Sequence, residues 1–432
     1  MAKYFALAKL GLKYLLRHRR RYGFLMMTLV FGFMIVTFIT SAKDGMNRNV
    51  YYSAQSHFAG DIIAIGYWNW ESYQHLGSDE ISVILEAAKE SRINADETVF
   101  RTIFNDYGII FFNGNSVWQK YVVGCEWENE EFLFSRMNFI TPVQALDDDE
   151  IFISDGVARQ LGAEIGDRVV LEVNTKYSQK NTGAFTVAGI FRDSSIFGYY
   201  KCYVSKVTLN RLRLFEDDDC TSVGFFLNNT SLAEPKRKEL YKVLSKKMQT
   251  GPLLYKRDEG NTRPSYEGTA VFLYTMEFYL SEIEDLMGAL NILTYFLYGM
   301  MLIIILASAS VTYRLIIHER SSEMGVMMAI GFYGRDLRIV LWTEVVALGA
   351  ISLVLGFLFA LCLGRAASFL SFDWFPSFEI FLNNGKLPIL YLPKTVATNT
   401  ALIIFVLIAA SVLPSVRVSR KHIPVLLSGE NL

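Results

Sequence analysis

Residues 290–313 read LNILTYFLYGMMLIIILASASVTY and contain no charged side chain. A helix needs about 20 apolar residues to cross a hydrocarbon layer of about 30 Å, so this run predicts a transmembrane helix. Residues 22–40, 339–363 and 396–413 form three further windows that meet or approach this length. The sequence therefore predicts an α-helical membrane protein with four transmembrane helices.

The composition indicates that part of the chain lies in water. The chain has 432 residues, of which 52% are hydrophobic and 20% are charged. That is too apolar for an ordinary soluble protein and too charged for a chain that lies wholly in lipid. The formal net charge of -1 argues against a nucleic-acid partner, because phosphate recognition needs a basic surface.

Lysine and arginine residues orient the four spans, since cytoplasmic flanks are enriched in both. One basic cluster precedes the first span within residues 9–21, a second lies within residues 314–338, and a third follows the fourth span at Arg417, Arg420 and Lys421. All three clusters share one side of the membrane only if the chain crosses it an even number of times. We therefore expect cytoplasmic N- and C-termini and an extracytoplasmic region between the first and second spans.

The predicted organisation follows directly from these windows. About 21 residues precede the first apolar run, more than the positive region of a cleaved signal peptide usually has, so we expect this run to be retained. The predicted segments are an interfacial amphipathic helix (1–21), the first span (22–42), an extracytoplasmic α+β domain with a stalk (43–288), the second span (289–313), a cytoplasmic loop with a coupling helix (314–338), the third span (339–363), a small extracytoplasmic loop (364–395), the fourth span (396–414) and a cytoplasmic tail (415–432).

The large extracytoplasmic region mixes strand and helix patterns. Strand-like runs lie at 61–65, 108–112, 121–124, 168–173, 184–191 and 222–227, and helical runs at 79–91 and 234–248. Within ISDGVARQLGAEIGDRVVLEV (153–173), Ser154 or Asp155 can begin a helix that Gly162 ends, and Gly166 turns the chain into a strand. We expect that strand to pair antiparallel with FTVAGIF (185–191).

Residues 266–287 show apolar positions among acidic ones at helical spacing. This pattern predicts a helix. It is equally compatible with a stalk that extends the second span outward and with a surface helix that ends at the interface.

The four cysteines, Cys125, Cys202, Cys220 and Cys362, form no CxxC pair, which argues against a zinc ribbon. One bridge among the first three is compatible with the sequence. Burial of each as a small hydrophobic residue is compatible as well.

The motifs of an enzyme are missing from the sequence. No GxxxxGK[ST] occurs, so the chain lacks the phosphate-binding loop of an ATPase. No HExxH, calcium-loop or GxSxG pattern occurs either. We therefore assign no catalytic residue, no metal ligand and no cofactor bound by this chain.

The predicted inner loop contains the most distinctive stretch, HERSSEMGVMMAIG (318–331). Charged residues are followed by apolar ones and then by Gly331, which is typical of a short surface helix that fits a groove in a partner. A plain helical connector is the alternative. Glu344 lies inside the third span, where an ionisable group is costly, so we expect it to meet a polar partner and to have a functional role.

This stretch resembles the inner-loop motif of the FtsX-like permease family, E-R-x-x-E-I-G-x-x-x-A-[LI]-G, in type VII ABC transporters of the macrolide-exporter and lipoprotein-releasing kinds. The matching residues are Glu319, Arg320, Glu323, Met324, Gly325, Ala329, Ile330 and Gly331, with Met324 in place of the usual isoleucine. Glu344 matches a glutamate in the family's next span. Pro414, Arg417, Arg420, Pro424 and Leu427 are similar to its C-terminal P-x-x-R-x-x-R-x-x-P-x-x-x-L pattern.

The resemblance implies a permease in the bacterial inner membrane that acts with a second permease subunit, either a copy of itself or a paralogue. It implies a separate ABC ATPase, which holds ATP and Mg²⁺ and docks on the eight motif residues. Chain length favours the lipoprotein-releasing branch, which extracts lipid-modified cargo from the membrane. Candidate acyl-chain or membrane-lipid contacts on the first two spans are Phe31, Met34, Phe38, Phe296 and Met300.

Two alternatives stay open at this point. One is a mechanotransmitter or efflux permease that drives an extracytoplasmic partner with the same machinery. The other is a stand-alone membrane sensor or binding protein that uses no ATPase.

Overall fold

The computed structural model describes residues 2–17, 19–69, 73–140, 146–193, 197–256, 266–372, 379–383 and 385–419. The chain divides into two compact units. The helical unit comprises residues 1–47, 287–372 and 386–432, and the inserted domain comprises residues 48–286 and 373–385.

Within the described residues, four helices are long and apolar enough to cross a membrane: Tyr22–His57, Glu284–Glu319, Gly334–Ala367 and Pro393–Val416. They confirm the four predicted spans. The helices that form the helical unit wholly or in part are α1 Ala2–Arg17, α2 Arg19–His57, α9 Glu284–Glu319, α10 Ser321–Ala329, α11 Gly334–Ala367 and α12 Pro393–Ser419.

Small residues let these helices approach closely. A Cβ added to Gly356 of α11 would lie 2.8 Å from the carbonyl oxygen of Val30 on α2, and one added to Gly11 of α1 would lie 2.8 Å from that of Val340. Apolar area alone gives no net drive to associate in lipid, so close backbone packing of this kind holds membrane helices together. A shared core with members such as Leu29, Tyr313, Leu341 and Leu407 fills the space between them.

The inserted domain is α+β and is built on one mixed sheet of twelve strands, ordered β12-β1-β11-β3-β6-β10-β7-β9-β8-β4-β5, with β2 paired to β1. The strands are β1 Ile62–Trp68, β2 Tyr73–Gln74, β3 Ala95–Phe104, β4 Gly108–Phe112, β5 Asn115–Gln119, β6 Tyr121–Cys125, β7 Glu150–Ser154, β8 Arg168–Asn174, β9 Lys180–Phe191, β10 Lys201–Ser205, β11 Ser222–Leu227 and β12 Thr269–Thr275. Most neighbouring strands are antiparallel, and β6–β10 and β7–β9 are parallel.

Six short or medium helices accompany the sheet: α3 Ser78–Glu90, α4 Glu131–Arg136, α5 Asp155–Leu161, α6 Lys206–Arg213, α7 Ala233–Leu244 and α8 Met276–Leu280. Separate buried clusters fill the two halves of the sheet, one around Val122, Leu171 and Phe185 and one around Ile62, Leu240 and Leu273.

The segment at 153–191 folds as its turn residues predict. Ser154 Oγ accepts a hydrogen bond from the Val157 amide at the start of α5. Gly162 ends this helix with φ of 70°, a left-handed conformation that favours glycine. Strands β8 and β9 then pair antiparallel from Arg168 opposite Thr186 to Asn174 opposite Lys180, which confirms the predicted pairing.

The helix predicted over 266–287 is wrong in its first part. Residues Thr269–Thr275 form β12, which pairs antiparallel with β1, and the helix α8 covers only Met276–Leu280. The run TAVFLYT is rich in β-branched and aromatic residues, and six of its seven residues are buried. Such a run forms an interior strand, whatever the spacing of the acidic residues that follow it.

Residues 379–383, predicted as part of a small separate loop, cluster with the inserted domain. Ile380, Phe381 and Leu382 are buried. Asn49 Nδ2 donates to the Leu382 carbonyl at 3.1 Å. The inserted domain is therefore assembled from two separate stretches of the chain.

All four cysteines lie in described residues, and all are free thiols. Cys125, Cys202 and Cys220 are buried, as the small-hydrophobe alternative predicts. Burial raises the pKa of the Cys220 thiol to about 12. The C-terminal residues Arg420, Lys421, Pro424 and Leu427 lie outside the described residues.

Candidate functional site

Three elements of the helical unit bring ionisable and polar side chains to one buried point. Arg320 lies between α9 and α10, Glu344 lies in the third turn of α11, and Tyr22 lies in the first turn of α2. Arg320 Nη1 donates to Glu344 Oε2 at 2.6 Å and to the Tyr22 hydroxyl at 2.8 Å. The Tyr22 hydroxyl donates to the same Glu344 oxygen at 2.5 Å. We call these three residues the ion-pair cluster.

The ion-pair cluster is almost completely closed to solvent. The exposed fraction is 1% for Arg320, 0% for Glu344 and 2% for Tyr22. A buried charge is costly unless it is paired and hydrogen-bonded, and here each charge has the other as its partner. The guanidinium also lies 3.3 Å from Glu323 and 5.0 Å from the centre of the Tyr14 ring on α1. Arg320 is thus in contact with side chains of four helices.

The cluster fixes the 314–338 loop to two of the spans. Arg320 is part of that loop, whereas Glu344 and Tyr22 belong to α11 and α2. A displacement of the loop would have to carry these helices with it or separate a buried ion pair. The geometry therefore suits mechanical transmission from the loop into the membrane helices.

The eight motif residues divide into a buried and an exposed set. Arg320, Met324 and Gly325 are buried inside the helical unit, so their side chains do not form a docking surface. Glu323 is half-buried. The exposed set comprises Glu319, Ala329, Ile330 and Gly331. Their predicted contact with an ATPase stays a prediction.

Ile330 is the most exposed apolar side chain of this loop at 76%, and Val326 and Tyr333 are exposed close to it in sequence. Gly331 has φ of +106°, a conformation that glycine adopts readily, and it ends the short helix beside Ile330. We call Val326, Ile330 and Tyr333 the apolar tip of the loop.

The five candidate lipid contacts also differ in exposure. Phe31 on α2 and Phe296 and Met300 on α9 are exposed, and Phe296 reaches 63%. Met34 and Phe38 are half-buried. The buried residues of α9 lie mainly from Ile305 onward. The first half of α9 thus presents apolar side chains that nothing else in the described chain covers.

A second buried polar group lies in the inserted domain, at the C-terminal end of α2. Arg101 donates to the Ser56 carbonyl at 3.0 Å, and Lys201 Nζ donates to the His57 carbonyl at 2.8 Å. The last carbonyls of a helix lack intrahelical partners, so these two donors satisfy them at the end of α2. Arg101 also pairs with buried Glu130 through two hydrogen bonds of 2.6 Å.

Sequence reasoning anticipated a polar partner for Glu344 but did not identify it. The motif predicts that Arg320 belongs to the docking surface, and the apolar pattern marks Tyr22 only as the start of a span. The signal was present, because a buried acid in a span calls for a cation, and Arg320 lies in the loop that leads to that span.

Two family models match the chain. Residues 295–423 match the FtsX-like permease C-terminal model, and residues 23–231 match the MacB-like periplasmic core domain model. No curated protein matches. Among solved structures, the periplasmic region of MacB from Actinobacillus actinomycetemcomitans is similar with a TM-score of 0.31 and 13% identity, over 52% of this chain and 94% of that chain.

Proposed function

The chain belongs to the FtsX-like permease family of ABC transporters, and we propose that it serves as the membrane subunit of a machine that releases lipid-modified proteins from the membrane. A separate ATPase subunit hydrolyses ATP, and this chain transmits the resulting movement. The observation that carries the proposal is the ion-pair cluster, because it links the 314–338 loop to α2 and α11 through buried contacts.

The apolar tip is the proposed docking point for the ATPase. Exposed apolar and aromatic side chains at the end of a short helix are typical anchors for a groove in a partner. Because Arg320 is part of the same loop and pairs with Glu344, closure of two ATPase subunits would pull on α11 and α2. This requires the loop and both termini to face the cytoplasm, as the basic clusters predict.

The exposed apolar residues of α2 and α9 support a lipid-linked cargo. Phe31, Phe296 and Met300 present large side chains that the described residues of the chain leave uncovered. Burial of an acyl chain against such a surface stabilises the complex by about 0.8 kcal/mol for each CH₂ group. We propose that an acyl chain binds here, between this permease and a second permease subunit.

A mechanotransmitter is the second candidate function, and the end of α2 favours it. The side chains of Arg101 and Lys201 donate hydrogen bonds to the final carbonyls of this helix inside the inserted domain. Such an attachment suits a helix that transmits force to an extracytoplasmic partner without moving a substrate.

Co-purification from native membranes separates these functions. Cargo release predicts that a lipidated protein is retained with the complex in detergent and is freed by ATP and Mg²⁺. A mechanotransmitter predicts a retained cell-wall enzyme or efflux partner that ATP does not free. Absence of any ATPase from the purified complex would contradict both.

Cysteine labelling tests the orientation on which the proposal depends. Ser322 is exposed in the 314–338 loop. A Ser322→Cys variant that also carries Cys362→Ala, which removes the exposed native thiol, should react with a membrane-impermeant maleimide only after the cells are opened. Reaction in intact cells would place the loop outside and exclude an ATP-dependent partner.

A further inference from the structure

A cavity of about 500 Å³ in the inserted domain is lined by three arginines from three different segments. Arg48 lies on α2, Arg136 is the last residue of α4, and Arg192 follows β9. The volume is within the range of about 300–1,000 Å³ that small-molecule sites occupy.

Aromatic rings hold two of these arginines in place. The Arg136 guanidinium lies 3.6 Å from the centre of the Phe132 ring and 4.3 Å from that of Tyr52. Its Nη1 also donates to Gln55 Oε1 at 3.1 Å. Arg48 donates to the Tyr52 hydroxyl at 2.7 Å and lies 4.9 Å from the same ring. Two cations are therefore fixed on one tyrosine, close to each other.

No carboxylate in the described chain forms an ion pair with Arg48, Arg136 or Arg192. Asp193 also lines the cavity, but its Oδ2 lies 2.6 Å from His57 Nε2. Asp61 accepts hydrogen bonds from Tyr51 and Gln55, as well as from a backbone amide. The nearest acids are thus occupied by other partners.

Like charges held this close repel one another. Partial burial lowers the pKa of Arg136 and the neighbouring Arg48 lowers it a little further, whereas Tyr52 and Asp61 act in the opposite direction. A bound anion would offset both the burial of the Arg136 charge and its repulsion by Arg48.

We propose that this cavity binds a phosphate-bearing anion through Arg48, Arg136 and Arg192. A phosphate group has several acceptor oxygens in a tetrahedral arrangement, and the planar guanidinium donates to such oxygens in pairs. The cavity has room for an attached organic group. A soluble phosphate ester and an anionic lipid headgroup share this chemistry. The inference does not depend on the proposed cargo.

The test uses the full-length protein purified in a nonionic detergent and phosphate-free buffer. Binding is measured by isothermal titration calorimetry with glycerol 3-phosphate and, in separate experiments, with short-chain phosphatidylglycerol in the same detergent. We expect saturable binding of at least one probe. Arg136→Gln and Arg192→Gln should each weaken it about tenfold without a change in melting temperature.

Arg211→Gln is the matched control, because Arg211 is exposed on α6, pairs with Asp217 and does not line the cavity. Its affinity for either probe should equal that of the wild type. Binding of glycerol 3-phosphate would identify a soluble ester, and binding of the lipid alone would identify a headgroup. Failure of both probes to bind, or equal losses in the Arg211→Gln control, would overturn the proposal.

Discussion

Arg320 and Glu344 are 24 residues apart in sequence, and their side chains meet at 2.6 Å in a region closed to solvent. The two charges belong to different functional segments, since one lies in a loop and the other within a membrane span. Their contact ties the proposed docking loop to the helices that it would move.

Removal of one partner from this pair should be strongly destabilising. Glu344→Gln leaves buried Arg320 with only the half-buried Glu323, at 3.3 Å, as a counter-charge, so we expect a loss of about 3 kcal/mol in the free energy of unfolding. The double variant Arg320→Met/Glu344→Leu should recover most of this loss. Thermal unfolding in detergent measures both. Glu319→Gln, at an exposed site in the same motif, should change stability by less than about 0.5 kcal/mol.

Helix packing at Gly356 should not tolerate an added methyl group. Gly356→Ala places a Cβ 2.8 Å from the Val30 carbonyl oxygen, and the backbone there cannot yield without moving a helix. We expect a loss of about 1–3 kcal/mol by thermal unfolding. A Cβ added at Gly299 in α9 has no other atom within 4 Å. Because alanine has a higher helix propensity than glycine, Gly299→Ala should leave the stability of the protein unchanged or raise it. Equal effects at both sites would argue against close α2–α11 packing.

The apolar tip can be tested separately from folding. Ile330→Asp should lower the amount of co-purified ATPase roughly thirtyfold, the loss expected for an interface anchor worth about 2 kcal/mol. The melting temperature of the permease should not change, because Ile330 is exposed. Ile165→Asp, at an exposed apolar site of the inserted domain, should retain the ATPase. If the Ile330→Asp variant still co-purified with the ATPase, the ATPase would dock elsewhere.

Lys201 should make the stability of the inserted domain depend on pH. Burial lowers the pKa of this lysine well below its usual 10.5, so the folded state disfavours the charged form. The neutral lysine is the form that favours the folded state. Its contribution to stability is therefore fully present at a pH above the pKa that Lys201 has in the unfolded chain, and it is lost as the pH falls through the lower pKa of the folded state. Melting temperatures of the wild type should therefore rise relative to Lys201→Met between about pH 7 and 10.

A Lys242→Met variant corrects for the general effect of removing one cation, because Lys242 is exposed on α7. If the melting temperature of the wild type fell relative to that of Lys201→Met as the pH rises, the predicted direction of the pH dependence would be wrong.

The spans and much of the sheet were predictable from sequence because each depends on a local pattern. Apolar length defines the four helices, and the Ser154, Gly162 and Gly166 signals define the order of elements around α5 and β8. The strand β12 was missed because its residues are buried on both faces, so period-two alternation is absent. Strand β10 was missed for the same reason, since all five of its residues are buried.

The candidate site was only half predictable, because burial is not a local property. The motif at 319–331 identified the correct loop, yet the sequence gives no sign that Arg320 points inward and Ile330 outward. The arginine cavity could not have been predicted from sequence, since Arg48, Arg136 and Arg192 belong to segments that only the tertiary fold brings together.

The two-stretch assembly of the inserted domain affects how it can be isolated. A fragment cut at residues 48 and 286 would lack Ile380, Phe381 and Leu382, all of which are buried in the intact chain. It would also deprive the Asn49 amide of its acceptor, the Leu382 carbonyl. Expression as a soluble piece should succeed only when residues 373–385 are supplied, either through a linker or as an added peptide.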